Sequence, residues 1–312
     1  MPVAAPDAIA LAATELGELA RFDEPLGPFT TYKVGGRADL FVNVVKPADL
    51  HRVAAACRSS GLPVLIVGRG SNLLVADRGF GGIAVSLAEM ANGIEINRDH
   101  SIVRAGSAVL LPVLSRRLAS AGLTGFEWAV GVPGSIGGAV RMNAGGHGSD
   151  LSESLIDVSV FDLAASADRT LRADQLGLRF RGSDLRATTV VISARLQLAP
   201  GDPEAAHREL VKIVAWRRAN QPGGQNAGSV FVNPIPHELS AGQLIDEVGL
   251  RGVRYGSATV SDKHANFIQA DQGGSADDVR ALMELVREQV ATATGHVLRS
   301  EIRLIGFEEP SS

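Results

Sequence analysis

GFEWAVGVPGSIGGAVRMNAGGHG, residues Gly125 to Gly148, holds eight glycines in twenty-four positions. Glycine reaches backbone conformations at positive φ and lets a ligand approach bare N–H groups. The spacing is not every third residue, so a collagen-like helix is excluded. Taken alone, the stretch has two open readings: a glycine-rich turn region between strands, or a cradle for the phosphates of a bound nucleotide.

A shorter glycine turn lies about sixty residues upstream. The apolar run PVLIV, residues 63–67, has the composition of a buried strand and leads straight into GRGSNLL, Gly68 to Leu74. Gly68 and Gly70 begin the dinucleotide fingerprint, but Leu73 holds the place of its third glycine and no long amphipathic helix follows. Both facts argue against a Rossmann crevice. A turn with N–H groups, Ser71 and Asn72 facing an anion remains open beside the plainer reading of a strand-end turn.

Working outward, the first twenty residues read as a tail or helix, followed by a Gly35-Gly36 turn and an alternating strand into Val45. Pro47 to Ser60 has helical spacing and ends at Gly61, giving a strand, helix and strand with PVLIV. Residues 94–105 are strand-like, and LPVLSRRLASAG is a helix with Pro112 in its first turn. Beyond the glycine stretch, residues 155–163 and 189–198 are half-buried strands. Gly201 to Pro203 mark a boundary.

A helix then runs from Pro203 to before Pro222. The loop GGQNAG, the strand SVFVNP, the short helix AGQLIDEVGL and the strand HANFIQA follow. A long helix with Ser275 as N-cap and Gly295 as C-cap precedes a closing strand, RSEIRLIG.

Composition removes several functional classes. At 312 residues two or three compact units are expected, and 45% hydrophobic with 21% charged residues is ordinary for a globular chain. Only 4% of residues are aromatic and the net charge is −4, which speaks against a nucleic-acid partner. No run of about eighteen apolar residues occurs and the N-terminus lacks a basic leader, so a membrane span and a signal peptide are not expected. The single cysteine, Cys57, reads as a small core residue of a cytoplasmic protein. There is no Gly-x-Ser-x-Gly elbow, no Walker loop and no clustered His and Cys, so a catalytic metal is not expected. What remains is two glycine-rich nests that together suit a pyrophosphate, in an enzyme or in a nucleotide-binding module.

The ordered motifs TYKVGG, GRGSNLL, GFEWAVGVPGSIGGAVRMNAG, FRGS, NAGSVFVNP, HANFI and SEIRLIG, over residues 30–306, resemble the UDP-N-acetylenolpyruvoylglucosamine reductases of peptidoglycan synthesis. The resemblance implies an α+β chain: a two-subdomain FAD-binding fold of the vanillyl-alcohol-oxidase type, not Rossmann, followed by a C-terminal α/β domain for a UDP-sugar. The implied division is 21–88 and 89–202 for the FAD subdomains, 203–298 for the substrate domain, and 299–312 as a strand returning to the active site. It further implies FAD as cofactor, NADPH as hydride-donating co-substrate, and a monomer. Hydride passes from flavin N5 to the enolpyruvyl methylene carbon and an enzyme acid protonates its neighbour.

Carried over by motif, Ser229 would be the proton donor, Arg181 would face the substrate carboxylate and enolate, and Glu301 would assist protonation. Without the resemblance these residues read as a strand-opening serine, a surface arginine and part of a charged strand edge. FAD would be held by Gly68, Arg69, Gly70, Ser71 and Asn72, by Pro133, Gly134, Ser135, Gly137 and Gly138, and by Asn143, Ala144 and Gly145. Asn233, Arg217 and His264 would contact the UDP-sugar. Phe180 and His147 stand where the family often carries tyrosine, and the thirty or so residues between the glycine stretch and FRGS contain none, the mark of the type lacking a tyrosine-bearing loop. A flavin-dependent alcohol or hydroxy-acid oxidase and a non-catalytic UDP-sugar module are the competing functions.

Overall fold

The computed structural model of the chain describes residues 5–235 and 238–308, so the outermost four residues of each expected terminal segment lie outside the described residues. The expected N-terminal helix is present as α1 (Pro6–Leu16), which buries Ala12 and Leu16 against α2 (Pro47–Ser60). Pro47 starts α2 without losing a needed donor, and Gly61 stops it at φ 69°. The Asp49 carboxylate accepts the N–H groups of Val45 and Lys46, both at 3.0 Å, fixing the entry into the helix.

Leu50, Val53 and Ala54 of α2 pack on a four-stranded sheet ordered Arg21–Pro25, Arg37–Asn43, Phe80–Ser86, Val64–Val67. The first pair is antiparallel and the others are parallel. The expected strand–helix–strand unit is therefore present, with Phe80–Ser86 inserted between its two strands. Arg21–Pro25 was not anticipated, because RFDEP is short and polar. Cys57 is half-buried against this core, and its burial pushes the thiol up to about 11.

A five-stranded antiparallel sheet follows, ordered Ala167–Arg172, Leu155–Asp162, Thr189–Gln197, Ile102–Gly106, Ile94–Asn97. The single strand-like stretch at 94–105 is thus a hairpin. Asn97 accepts the His100 N–H at 3.2 Å and Ser101 turns at φ 52°, which closes the loop. One sheet face is covered by α3 (Leu111–Ser120) and α4 (Ile136–Met142), through Leu114, Leu118, Ile136 and Val140. Helix α4 lies inside the glycine stretch, where Gly137 and Gly138 lower helix propensity and conceal it from a pattern reading. Helix α5 (Pro203–Asn220) is capped by the Asp202 carboxylate and packs Ala206, Leu210 and Ile213 against Ala119 and Val130.

The third core joins α6 (Ala241–Glu247), α7 (Ala276–Thr294) and a small sheet ordered Arg254–Tyr255, Ala258–Val260, Ile268–Ala270. Val279, Leu282, Met283, Val286 and Val290 form the buried stripe of α7, each contributing about 1.5–3 kcal/mol of transfer free energy. SVFVNP is not a regular strand; Phe231 makes one isolated bridge to Ser300. HANFIQA narrows to Ile268–Ala270, which pairs with the three-residue strand Ala258–Val260, and RSEIRLIG narrows to Arg303–Ile305, whose partner is the short, distant segment Leu73–Val75.

Several contacts tie this part to the N-terminal region around the first sheet, among them three. Arg303–Ile305 pairs in parallel with Leu73–Val75, directly after the GRGSN turn. Tyr32, fully buried, donates its hydroxyl to the Ile268 carbonyl at 3.1 Å, and burial raises its pKa. The Asp77 carboxylate accepts the Ala276 and Asp277 N–H groups at 2.9 and 3.2 Å, extending the cap that Ser275 gives α7.

Candidate active site

The two glycine turns meet across one cleft of about 530 Å³. A Cβ on Gly68 would fall 2.7 Å from Ser135 Oγ, and one on Gly134 would fall 3.3 Å from Ser71 Oγ. Gly70 sits at φ 61°, and a Cβ there would strike the Phe29 carbonyl at 2.2 Å. The N–H groups of Arg69 to Asn72, and those of Gly134 and Ser135, have no acceptor among the described residues. Bare glycine backbone with unspent donors suits an extended diphosphate and needs no metal, so these residues fit a dinucleotide cofactor.

Gly68 to Asn72, Pro133 to Ser135, Gly138, Ala144 and Gly145 all line the cleft. Two of the expected cofactor residues do not. Gly137 is held from behind, its N–H bound to the Ser107 carbonyl at 2.9 Å. Asn143 is buried in the left-handed region at φ 41°, and its amide is taken by Asp150 and the Ser152 N–H at 3.0 and 3.1 Å. Both shape the turn and leave its inner surface to their neighbours.

Ser229, Arg181 and Glu301, scattered over more than one hundred residues of sequence, line the same cleft. Arg181 Nε lies 2.7 Å from Glu301 Oε1. The N–H is poorly aligned with that oxygen, so the contact is an ion pair more than a directed hydrogen bond. Burial raises the Glu301 pKa, opposed by the nearby Arg181 and Arg299 charges. Arg181 itself adopts φ 58°, a strained conformation for a residue with a side chain, and its guanidinium lies 5.0 Å from the Phe180 ring centre.

The surroundings hold this triad in place. Arg141 of α4 donates to the carbonyls of Leu185, Arg186 and Thr189 at 3.1, 3.0 and 2.9 Å, and the Ser183 hydroxyl donates to the Arg141 carbonyl at 2.8 Å. These bonds clamp the FRGS loop. Burial and the Arg303 charge lower the Arg141 pKa to about 10. On the other side, buried Asn266 brackets Phe231, accepting its N–H at 3.0 Å and donating to its carbonyl at 2.8 Å. Glu301 N–H donates to the Val230 carbonyl at 2.9 Å, so Ser229 and Glu301 are positioned by one ladder. The Asn72 amide donates to the Glu301 carbonyl at 3.2 Å, which links that ladder to the glycine turn.

Arg217 reaches the cleft, partly buried and with its pKa lowered by desolvation. Asn233 and His264 do not. Asn233 Oδ1 accepts the Ala241 N–H at 3.1 Å and so caps α6, while His264 borders a smaller neighbouring hollow, its pKa lowered by burial and by Arg251. Sequence reasoning missed Arg141 and Asn266, and read Arg303 only as part of the charged strand edge it shares with Glu301. Arg141 and Asn266 lie inside quoted motifs, and Arg303 stands two residues from Glu301, where strand alternation puts it on the same face. Arg69, Arg141, Arg181, Arg217 and Arg303 line the cleft with Glu301, the one carboxylate among the described lining residues, so the cleft is cationic in a chain of net charge −4.

Residues 38–165 match the FAD binding domain family, and residues 220–305 match the UDP-N-acetylenolpyruvoylglucosamine reductase C-terminal domain. The enzyme of that name from Heliobacterium modesticaldum is 42% identical over 285 residues, 91% of this chain and 90% of that one. The one from Synechococcus sp. strain WH7803 is 42% identical over 92% of this chain and 93% of its own. The crystal structure of the Thermus caldophilus reductase superposes with a TM-score of 0.78 at 33% identity, covering 92% of this chain and 99% of that one. The glucose dehydrogenase Phl p 4.0202 shares the fold alone, with a TM-score of 0.50 at 14% identity over 63% of this chain and 44% of that one. The two-part, non-Rossmann FAD-binding fold and the separate C-terminal domain are thus those of known flavoproteins. The chain belongs to the UDP-N-acetylenolpyruvoylglucosamine reductase family, FAD-containing oxidoreductases.

Proposed function

We propose that this chain reduces UDP-N-acetylglucosamine enolpyruvate to UDP-N-acetylmuramate with NADPH as reductant, in the cytoplasm, as a step of peptidoglycan precursor synthesis. The observation that carries the reading is the convergence of Ser229, Arg181 and Glu301 on the cleft that the two glycine turns enclose. When bound, FAD supplies two-electron hydride chemistry. The residues that would hold it are Gly68 to Asn72, Pro133 to Ser135, Gly138, Ala144 and Gly145.

The remaining roles fall to side chains. Arg181 offers a planar, permanently charged donor to the substrate carboxylate and to the negative charge that develops when the double bond is reduced. Ser229 donates a proton to the carbon beside that carboxylate; a hydroxyl is a weak acid, so it serves only a partner as basic as a carbanion or enolate. Glu301, its pKa raised by burial, keeps a protonated carboxyl at higher pH than a solvated glutamate and can donate a hydrogen bond to the enolate. Arg217, which lines the cleft, would bind the diphosphate, and the remaining cleft arginines would favour the same dianion.

The test is NADPH oxidation by the purified, yellow protein with and without the enolpyruvyl UDP-sugar. Oxidation that depends on the sugar supports the reading. A protein that stays colourless after refolding with FAD, or whose reduced flavin is reoxidised by air and unaffected by the sugar, refutes it.

A further inference from the structure

We propose that Trp216 is the stacking wall for the uracil ring of the substrate; the inference rests on the proposed reading of a UDP-sugar substrate. The chain has two tryptophans. Trp128 is buried at 4% exposure, whereas Trp216 is 49% exposed. A large ring left half in water on a rigid helix is apolar surface suited to a ligand.

Its position points the same way. Trp216 stands near the end of α5, on the border between the main cleft and the adjoining hollow of about 280 Å³, and it lines both. Its helix is anchored by buried Leu210 and Ile213, and the Asn220 amide donates to the Trp216 carbonyl at 2.8 Å. The indole meets the His147 ring at 85° with centres 5.1 Å apart. His147 is itself set by its left-handed backbone, φ 54°, and by Gly131, where a Cβ would come within 3.1 Å of its ring. The indole is therefore braced by a perpendicular partner, an arrangement that cannot cover both of its faces.

The chemistry beside it matches a nucleoside diphosphate. Arg217, the next residue, enters the main cleft and suits the diphosphate. Gln243 borders the hollow with its side-chain N–H groups unspent among the described residues, and Asn220 and Lys263, which each give one N–H to a backbone carbonyl, keep further N–H groups for the carbonyl oxygens of a pyrimidine. Such a wall gives this chain, which lacks a tyrosine between the glycine stretch and FRGS, an aromatic surface over its substrate.

Calorimetric titration of the FAD-loaded protein with UDP and with inorganic pyrophosphate separates the base from the phosphates. Trp216→Ala should bind UDP about tenfold more weakly, in line with the stacking of one base on one aromatic ring, while its pyrophosphate affinity stays unchanged. Trp216→Phe should recover most of the loss. An unaltered flavin spectrum and melting temperature confirm the fold. Equal UDP affinity in Trp216→Ala, or an equal loss for UDP and pyrophosphate, overturns the inference alone. A larger loss for 2′,5′-ADP than for UDP assigns the wall to the adenine of the reductant and also overturns it. Failure of the unmodified protein to bind UDP overturns the substrate reading as well.

Discussion

Replacing Asn266 by alanine tests how the fold positions Ser229, the proposed proton donor. Asn266 is 3% exposed and Phe231 is 2% exposed, and two hydrogen bonds of 3.0 and 2.8 Å join the carboxamide to the Phe231 N–H and carbonyl. Alanine removes both partners and leaves two backbone groups buried without replacement. Each such group costs about 1–3 kcal/mol, so a loss of about 2–6 kcal/mol is expected. In a chain of this size that lowers Tm by roughly 5–10 °C in a thermal melt followed by flavin fluorescence. The same bonds set the segment that carries Ser229 two residues away, and a misplacement of about 1 Å at a reacting group costs on the order of a hundredfold in rate. Turnover should therefore fall by about that factor at temperatures well below the melt. Asn266→Asp keeps the shape but sets a carboxylate oxygen against the Phe231 carbonyl, and should be at least as damaging at neutral pH. Destabilisation below 1 kcal/mol with turnover intact would refute the claim that this amide positions the donor.

Three further outcomes follow from particular contacts. Gly70→Ala puts a Cβ at φ 61° against the Phe29 carbonyl, so it should cost about 2 kcal/mol or more and lower FAD occupancy, read as the ratio of flavin to protein absorbance. Asp77→Ala removes the carboxylate that accepts two N–H groups at the start of α7; a loss of about 1 kcal/mol is expected in urea unfolding, with flavin content unchanged. Glu301 has its folded pKa raised by burial, so its stabilising contribution is full below the unfolded value of 4.5 and is lost as pH rises through the folded pKa. Glu301→Gln should accordingly gain stability relative to the parent as pH rises from 4 towards neutrality, and a difference independent of pH would count against the burial argument.

Much of the scaffold is legible in local pattern. Leu155–Asp162 and Thr189–Gln197 show the mixed burial of sheets covered on one face, and the helices begin and end at residues whose chemistry enforces it: Pro47 and Gly61 for α2, Asp202 for α5, Ser275 and Gly295 for α7. The parts that escaped a pattern reading are those whose order comes from distant partners. SVFVNP looked like a strand because Val230, Phe231 and Val232 are apolar, yet it is an extended segment pinned by Asn266 on one side and by Arg299 and Glu301 on the other. Helix α4 is stabilised by burying Ile136 and Val140, which overrides its two glycines. The site shows the same division. The glycine turns advertised themselves through composition, and Ser229, Arg181 and Glu301 were found by resemblance. Arg141 was not found, because an arginine whose work is to bind three carbonyls of another loop looks in sequence like any surface cation.

The central claim is that the glycine turns hold the flavin while Ser229 completes the reduction of the substrate, and stopped-flow absorbance of the two half-reactions in Ser229→Ala tests it most directly. Flavin bleaching by NADPH should proceed at a rate close to that of the parent protein. Reoxidation of the reduced flavin by the enolpyruvyl UDP-sugar under anaerobic conditions should then be slowed by at least a hundredfold, the lower end of what a positioned acid contributes. Reoxidation at the parental rate would contradict the assignment of Ser229 as proton donor.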